Sequence, residues 1–198
     1  MTIIKQQSRK PLHQGYLNVY KYTLEVPSQA DSEISVVLEN RELVHSKDSV
    51  LVLIYVPKLD SFVLCKEFRM GVFFNKNQDD PFILECVSGA IEAHDTPEET
   101  AIKESYEETG LQLDNVMLIA QAYKTPGLMT EKVYIYYAEY AGQPTEGSYG
   151  LKAEGEDILT QVLPREQIYA LMDAMVIQDA ATLVALNWFR ATNKTIPN

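Results

Sequence analysis

Positive charge is what this chain has least of. Its 198 residues carry 17 Lys and Arg against 28 Asp and Glu, giving a formal net charge of −11 and a pI near 4.7. No run of basic residues is present to displace counterions, which argues against a nucleic-acid or anionic-membrane partner. Cysteine is scarce as well. Cys65 and Cys86 lie in apolar or mixed segments without metal-type spacing and read as reduced thiols in or near a core. No apolar run approaches the length of a membrane span, and the opening MTIIKQQSRK has no apolar signal region. A cytoplasmic location follows as the expectation.

What is present suffices for one ordinary core, with 46% hydrophobic residues. Residues 16–26 and 34–43 alternate apolar and polar, predicting an antiparallel pair with one wet face, and HSKDS at 45–49 breaks the pattern. SVLVLIYV (49–56) and SFVLCKEF (61–68) read as strands joined by the turn PKLD. GVFFNKNQDDP reads as a loop and FILECVSG as a strand. Further strands fall near 115–123, 132–140 and 158–164, with helices near 164–175 and 179–192. Mixed strands with a few helices predict an α+β sandwich. Residues 1–45 form an N-terminal β segment in this reading, and 46–198 the main domain. The segment 142–157 holds four of the nine glycines, and a loop that long inside a compact domain is often functional.

The densest signal is GAIEAHDTPEETAIKESYEETGL, residues 89–111, with seven acids against the single base Lys103. Thr96 suits an N-cap, Pro97 the first helical position, Glu99 a capping box and Gly110 a stop, so a helix over 97–109 is predicted. At about 100° per residue, Glu104 and Glu108 lie roughly 40° apart, with Glu107 roughly 60° to the other side. A solvated face is the plain explanation of most charge runs. This one sets a single lysine, Lys103, against the three glutamates, whereas clustered hard oxygens are what Mg²⁺ or Mn²⁺ needs beside a phosphate.

The stretch resembles the signature of the Nudix hydrolases, G-x5-E-x7-R-E-U-x-E-E-x-G-U, where U is a bulky aliphatic residue. Gly89, Glu104, Glu107, Glu108, Gly110 and Leu111 fall in register; Asp95, Lys103 and Ser105 depart from the pattern. Asp95 with Lys103 can keep the attraction of the family's Glu–Arg pair without its bidentate fork. Ser105 implies looser packing beneath the helix.

Two further blocks look like the ADP-ribose pyrophosphatases and their nucleotide-sugar relatives. One is YKTPGLMTE, with Pro126 fifteen residues after Leu111 and Glu131 at its end. The other is GLKAEGEDI with the C-terminal segments. The resemblance implies a Nudix α/β/α sandwich and hydrolysis of the pyrophosphate of ADP-ribose to AMP and ribose 5-phosphate. Another nucleoside diphosphate sugar such as GDP-mannose is the alternative substrate, and a non-catalytic nucleotide-binding module is a reading of another class. It implies Glu104, Glu108, Glu156 and the Ser88 carbonyl as metal ligands, with Glu107 assisting and Glu154 as general base. Water would attack one phosphorus while Mg²⁺ (or Mn²⁺) neutralises charge on the phosphate oxygens.

It also implies that Arg41 and Arg69 contact phosphates, that Tyr16 stacks on the base, and that Glu131 binds substrate. The N-terminal strands would be exchanged in a homodimer. Plainer roles fit the same residues: loop acids for Glu154 and Glu156, surface ion pairs for the arginines, and packing within a strand for Tyr16.

Overall fold

The structure is a computed structural model describing residues 4–31, 33–77, 79–151 and 155–192. The chain divides into two compact units. One comprises the residues up to Asp48 with Tyr123–Lys132, the other Ser49–Ala122 with the chain from Val133 onward. Among the described residues no helix is long and apolar enough to cross a membrane.

The first unit is a three-stranded antiparallel sheet of β1 (Lys5–Gln14), β2 (Asn18–Pro27) and β3 (Ser35–His45), in that order. The sequence pattern anticipates β2 and β3 but not β1, whose residues KQQSRKPLHQ neither alternate nor avoid proline. Its ladder with β2 forms it nonetheless, with Pro11 on the edge strand beside an irregularity in register. Every residue of β1 is exposed. Residues 124–131 lie along β3: Val44 N–H donates to the Leu128 carbonyl at 2.8 Å, and Thr130 N–H to the Val44 carbonyl at 3.0 Å.

The second unit centres on β4 (Ser49–Val56), whose residues are buried apart from half-buried Tyr55. A 3₁₀ turn at Pro57–Leu59 leads to Asp60, in the left-handed region at φ 46°, and so into β5 (Ser61–Phe68). The GVFF segment, predicted as loop, forms one helical turn, α1 (Met70–Phe73).

FILECVSG is two strands rather than one. β6 (Phe82–Glu85) pairs with β5 and β7 (Val87–Ala90) with β4. The switch falls at Cys86, whose N–H donates to Thr182 Oγ1 at 2.9 Å instead of to a ladder partner. After α2 (Pro97–Thr109) come β8 (Met117–Tyr123), β9 (Lys132–Glu139), β10 (Gly147–Tyr149), β11 (Ile158–Pro164), α3 (Arg165–Asp173) and α4 (Ala180–Thr192).

The main strand order is β10-β11-β5-β4-β9-β8, with β4 and β9 parallel and β5 antiparallel to its neighbours. Alternation along β4 builds both cores. Leu51 and Leu53 face Phe62, Leu64 and the α3–α4 residues Ile168, Ala185, Leu186 and Phe189. Val50, Val52 and Ile54 face Val63, Cys65 and Ala101 of α2. The fold is thus α+β, an α/β/α sandwich on a mixed sheet, with antiparallel N-terminal strands.

Candidate active site

The acids are delivered by α2. Glu99 N–H donates to Thr96 Oγ1 at 3.2 Å and Thr96 N–H to Glu99 Oε2 at 2.9 Å, the reciprocal bonds of a capping box. Gly110 ends the helix at φ 69°, its N–H donating to the Tyr106 carbonyl at 2.8 Å. Between the caps, Thr100, Ala101, Ser105, Glu108 and Thr109 are buried. Ser105 stands at the signature's aliphatic position. It is fully buried, and its hydroxyl donates to the Ala101 carbonyl at 2.7 Å. Among the described residues no ion pair joins Asp95 to Lys103, which points into solvent.

Glu108 is only 4% exposed. Ser88 N–H donates to its Oε2 at 3.3 Å, and the Cys65 thiol hydrogen-bonds the same carboxylate. Burial and then the neighbouring Glu104 charge push its carboxyl well above the usual range. Glu104 reaches back over β7, and its side chain occupies the space that a Cβ on Gly89 would fill. Burial also raises the Cys65 thiol, with the Glu108 charge adding to it.

Arg69, just past β5, stands at the same cluster. Its Nε and one terminal nitrogen each lie 2.6 Å from Glu85 Oε1, and its terminal nitrogens lie 3.0 and 3.2 Å from the Glu67 oxygens. Burial opposes the charged guanidinium, but Glu85 and Glu67 more than offset it and hold Arg69 above its ordinary value. Burial pushes Glu85 up to about 7 against the pull of Arg69, and raises Glu67, to which Glu156 adds.

The glycine-rich segment meets the end of α2: Gly150 N–H donates to the Glu107 carbonyl at 3.2 Å. Half-buried Glu156 accepts the Leu151 N–H at 2.9 Å on its Oε2. The expected general base, Glu154, lies outside the described residues.

The donor set fits a divalent cation. Two adjacent carboxylates, one almost wholly buried, are electrostatically costly without a counter-charge. Glu104, Glu108, Glu156 and the Ser88 carbonyl are all hard oxygens. Among the described residues no three His, Cys, Asp or Glu side chains converge as a ready-made cage. Mg²⁺ does not require one, because water and substrate oxygens commonly complete its shell.

Tyr16, Arg41 and Glu131 belong to the first unit. Tyr16 is not in a strand: it sits in the turn between β1 and β2, fully exposed. Arg41, on β3, lines an open cavity of about 760 Å³ with Tyr22, Leu24, Leu38, Gly127 and Leu128. Glu131 pairs with Lys124 at 2.9 Å.

Sequence reasoning passed over Glu67 and Glu85 at the carboxylate cluster and read Cys65 as a core thiol, not as a neighbour of Glu108. Glu85 did leave a signal, as a lone acid inside the apolar run FILECV. Glu67 and Arg69, two apart at the end of a strand, share one face by period-2 geometry.

A family profile described as "NUDIX domain" matches residues 45–185. The chain is 29% identical to an ADP-ribose pyrophosphatase of Haemophilus influenzae over 90% of this chain and 82% of that protein. It is 27% identical to an ADP-ribose pyrophosphatase of Escherichia coli K12, over 96% and 90%. To a GDP-mannose pyrophosphatase of Shigella flexneri serotype 5b it is 29% identical, over 98% and 96%. A crystal structure of an ADP compounds hydrolase shares the fold at a TM-score of 0.71 and 18% identity, covering 96% of this chain and 94% of that one. With the acidic helix, its cradling glycine and the profile match spanning well over half of the residues, the chain belongs to the Nudix family.

Proposed function

We propose that the protein is a divalent-cation-dependent pyrophosphatase that hydrolyses ADP-ribose to AMP and ribose 5-phosphate. The observation carrying this is the buried Glu108 carboxylate beside Glu104 on α2, with the Arg69 guanidinium at the same cluster. An acidic pocket of that kind repels a pyrophosphate unless a cation bridges the two. The relatives named ADP-ribose pyrophosphatase support the substrate class.

Glu104, Glu108, Glu156 and the Ser88 carbonyl would hold Mg²⁺, or Mn²⁺ in its place. The bound ion would supply charge neutralisation for the phosphate oxygens. In this reading Arg69 and Arg41 take phosphate oxygens, for which a guanidinium is geometrically suited. Glu107 assists the ligands, Tyr16 stacks on the base, and Glu131 holds substrate beside the Pro126 turn. Glu154 removes the proton of the attacking water. The Gly150–Glu107 bond ties the start of the glycine-rich segment to the helix that carries Glu104 and Glu108.

GDP-mannose is the second reading, supported by relatives of that name at 29% identity over nearly the whole chain. We also read the N-terminal sheet as the contact of a homodimer, supported by a β1 exposed along its full length and by exposed Ile4, Leu12, Val36 and Val37.

The test is chromatographic product analysis after incubating purified protein with ADP-ribose and Mg²⁺, with chelator and Glu108→Gln controls. AMP released only with metal and intact Glu108 is the expected result. A folded protein that leaves both ADP-ribose and GDP-mannose intact would return the chain to the class of nucleotide-binding modules. Light scattering on the eluted protein checks the dimer; a monomer mass would remove it.

A further inference from the structure

We propose that Glu85 is a positioning residue for this reaction, fixing the Arg69 guanidinium so that its outer edge faces a substrate phosphate; this rests on the functional reading above. Nothing in the signature of the helix points to Glu85, which lies on β6, the strand paired with β5.

Its side chain is 8% exposed, and one of its oxygens takes both Nε and a terminal nitrogen of Arg69 at 2.6 Å. Glu67 holds the same guanidinium more loosely, at 3.0 and 3.2 Å, and its side chain is 19% exposed. A guanidinium presents its five donors in one plane, so fixing the Nε edge fixes the direction of the rest. The Arg69 side chain remains 37% exposed, which leaves that outer end within reach of a ligand. Two carboxylates on one guanidinium over-neutralise it. An incoming phosphate therefore displaces the weaker partner, Glu67, while Glu85 stays. Stability alone gives little reason to keep such a pair, since a buried ion pair is often no better than apolar packing of equal volume.

The test is a double-mutant cycle on Glu85→Gln, Arg69→Ala and the pair. It is read by calorimetric binding of the non-hydrolysable α,β-methylene analogue of ADP-ribose with Mg²⁺, and by kcat and KM on ADP-ribose. Glu85→Gln is expected to weaken binding on the order of tenfold, carried in KM more than in kcat. It should add nothing in the Arg69→Ala background, because it acts through that side chain. Should Glu85→Gln fail to fold, Glu85→Asp keeps the charge one methylene short and carries the same expectation. Normal binding by Glu85→Gln while Arg69→Ala binds weakly would overturn the positioning role and leave the enzyme assignment standing. Equal losses from Glu85→Gln with and without Arg69 would do the same. Wild-type protein that neither binds the analogue nor turns over substrate would overturn both.

Discussion

At position 89 a methyl group would sit where the Glu104 side chain lies. The atoms it meets belong to a flexible carboxylate arm rather than to backbone, so the arm moves and the fold survives. With Glu104 in the ligand role proposed for it, Gly89→Ala should lower kcat/KM by about 10- to 100-fold, the usual cost of disturbing a metal ligand's setting. Its melting temperature should stay close to wild type, which calorimetry beside steady-state kinetics checks. At this scale the sequence was only partly legible. Gly89 and Glu104 occupy signature positions fifteen residues apart, and a pattern can carry them. The Arg69–Glu85 contact spans sixteen residues and two strands, and only pairing of β6 with β5 brings it together. Nor does the pattern show how a serine fits an aliphatic position in the buried face of α2. A helix carbonyl satisfies that hydroxyl in place.

Among the elements, α2 depends on its cap. Thr96→Ala removes the acceptor for Glu99 N–H and the hydroxyl donor to the Glu99 carboxylate, while the Thr96 backbone N–H bond to that carboxylate stays. A loss of about 1 kcal/mol, or roughly 2–4 °C in melting temperature, is expected.

The β4–β5 turn is tied to α3 by Arg165, whose Nε and NH2 reach the two Asp60 oxygens at 2.7 and 2.8 Å, while Tyr55 OH donates to Asp60 at 2.7 Å. The Arg165 bond, above all, holds the Asp60 carboxyl below its usual range, although burial opposes it. With the folded value below that of the unfolded chain, the contribution is full at neutral pH and disappears as pH falls through the folded value. Asp60 is half exposed, so Asp60→Asn should cost only about 1 kcal/mol at pH 7. The gap to wild type in thermal melts should close as pH drops from about 5 towards 2. The caps made α2 readable to the residue, and the Pro-Lys-Leu-Asp turn fixed β4 and β5. β1 was not readable, because a polar edge strand owes its form to the neighbour it pairs with. β10, three residues inside a glycine-rich loop, owes its form to β11 in the same way.

For the whole molecule the governing quantity is the charge of −11, part of it packed around Glu104 and Glu108. A cation that binds only the folded chain stabilises it by mass action, about 2.7 kcal/mol at a hundredfold excess over Kd. Millimolar Mg²⁺ should raise the melting temperature by several degrees, chelator should reverse this, and Glu108→Gln should blunt it. An unchanged transition with and without the ion would count against the carboxylates as its site.

The two thiols offer a different view of the same molecule. Both are free and almost wholly buried, and the sheet separates them: Cys65 lies under α2, Cys86 under α3 and α4. Each faces a layer of its own, so a thiol-reactive dye can label either one only when the layer above it lifts. Following the two adducts separately by mass spectrometry would time the opening of each side of the sandwich. The protein therefore carries a pair of internal clocks, one for the acidic helix and one for the C-terminal helices.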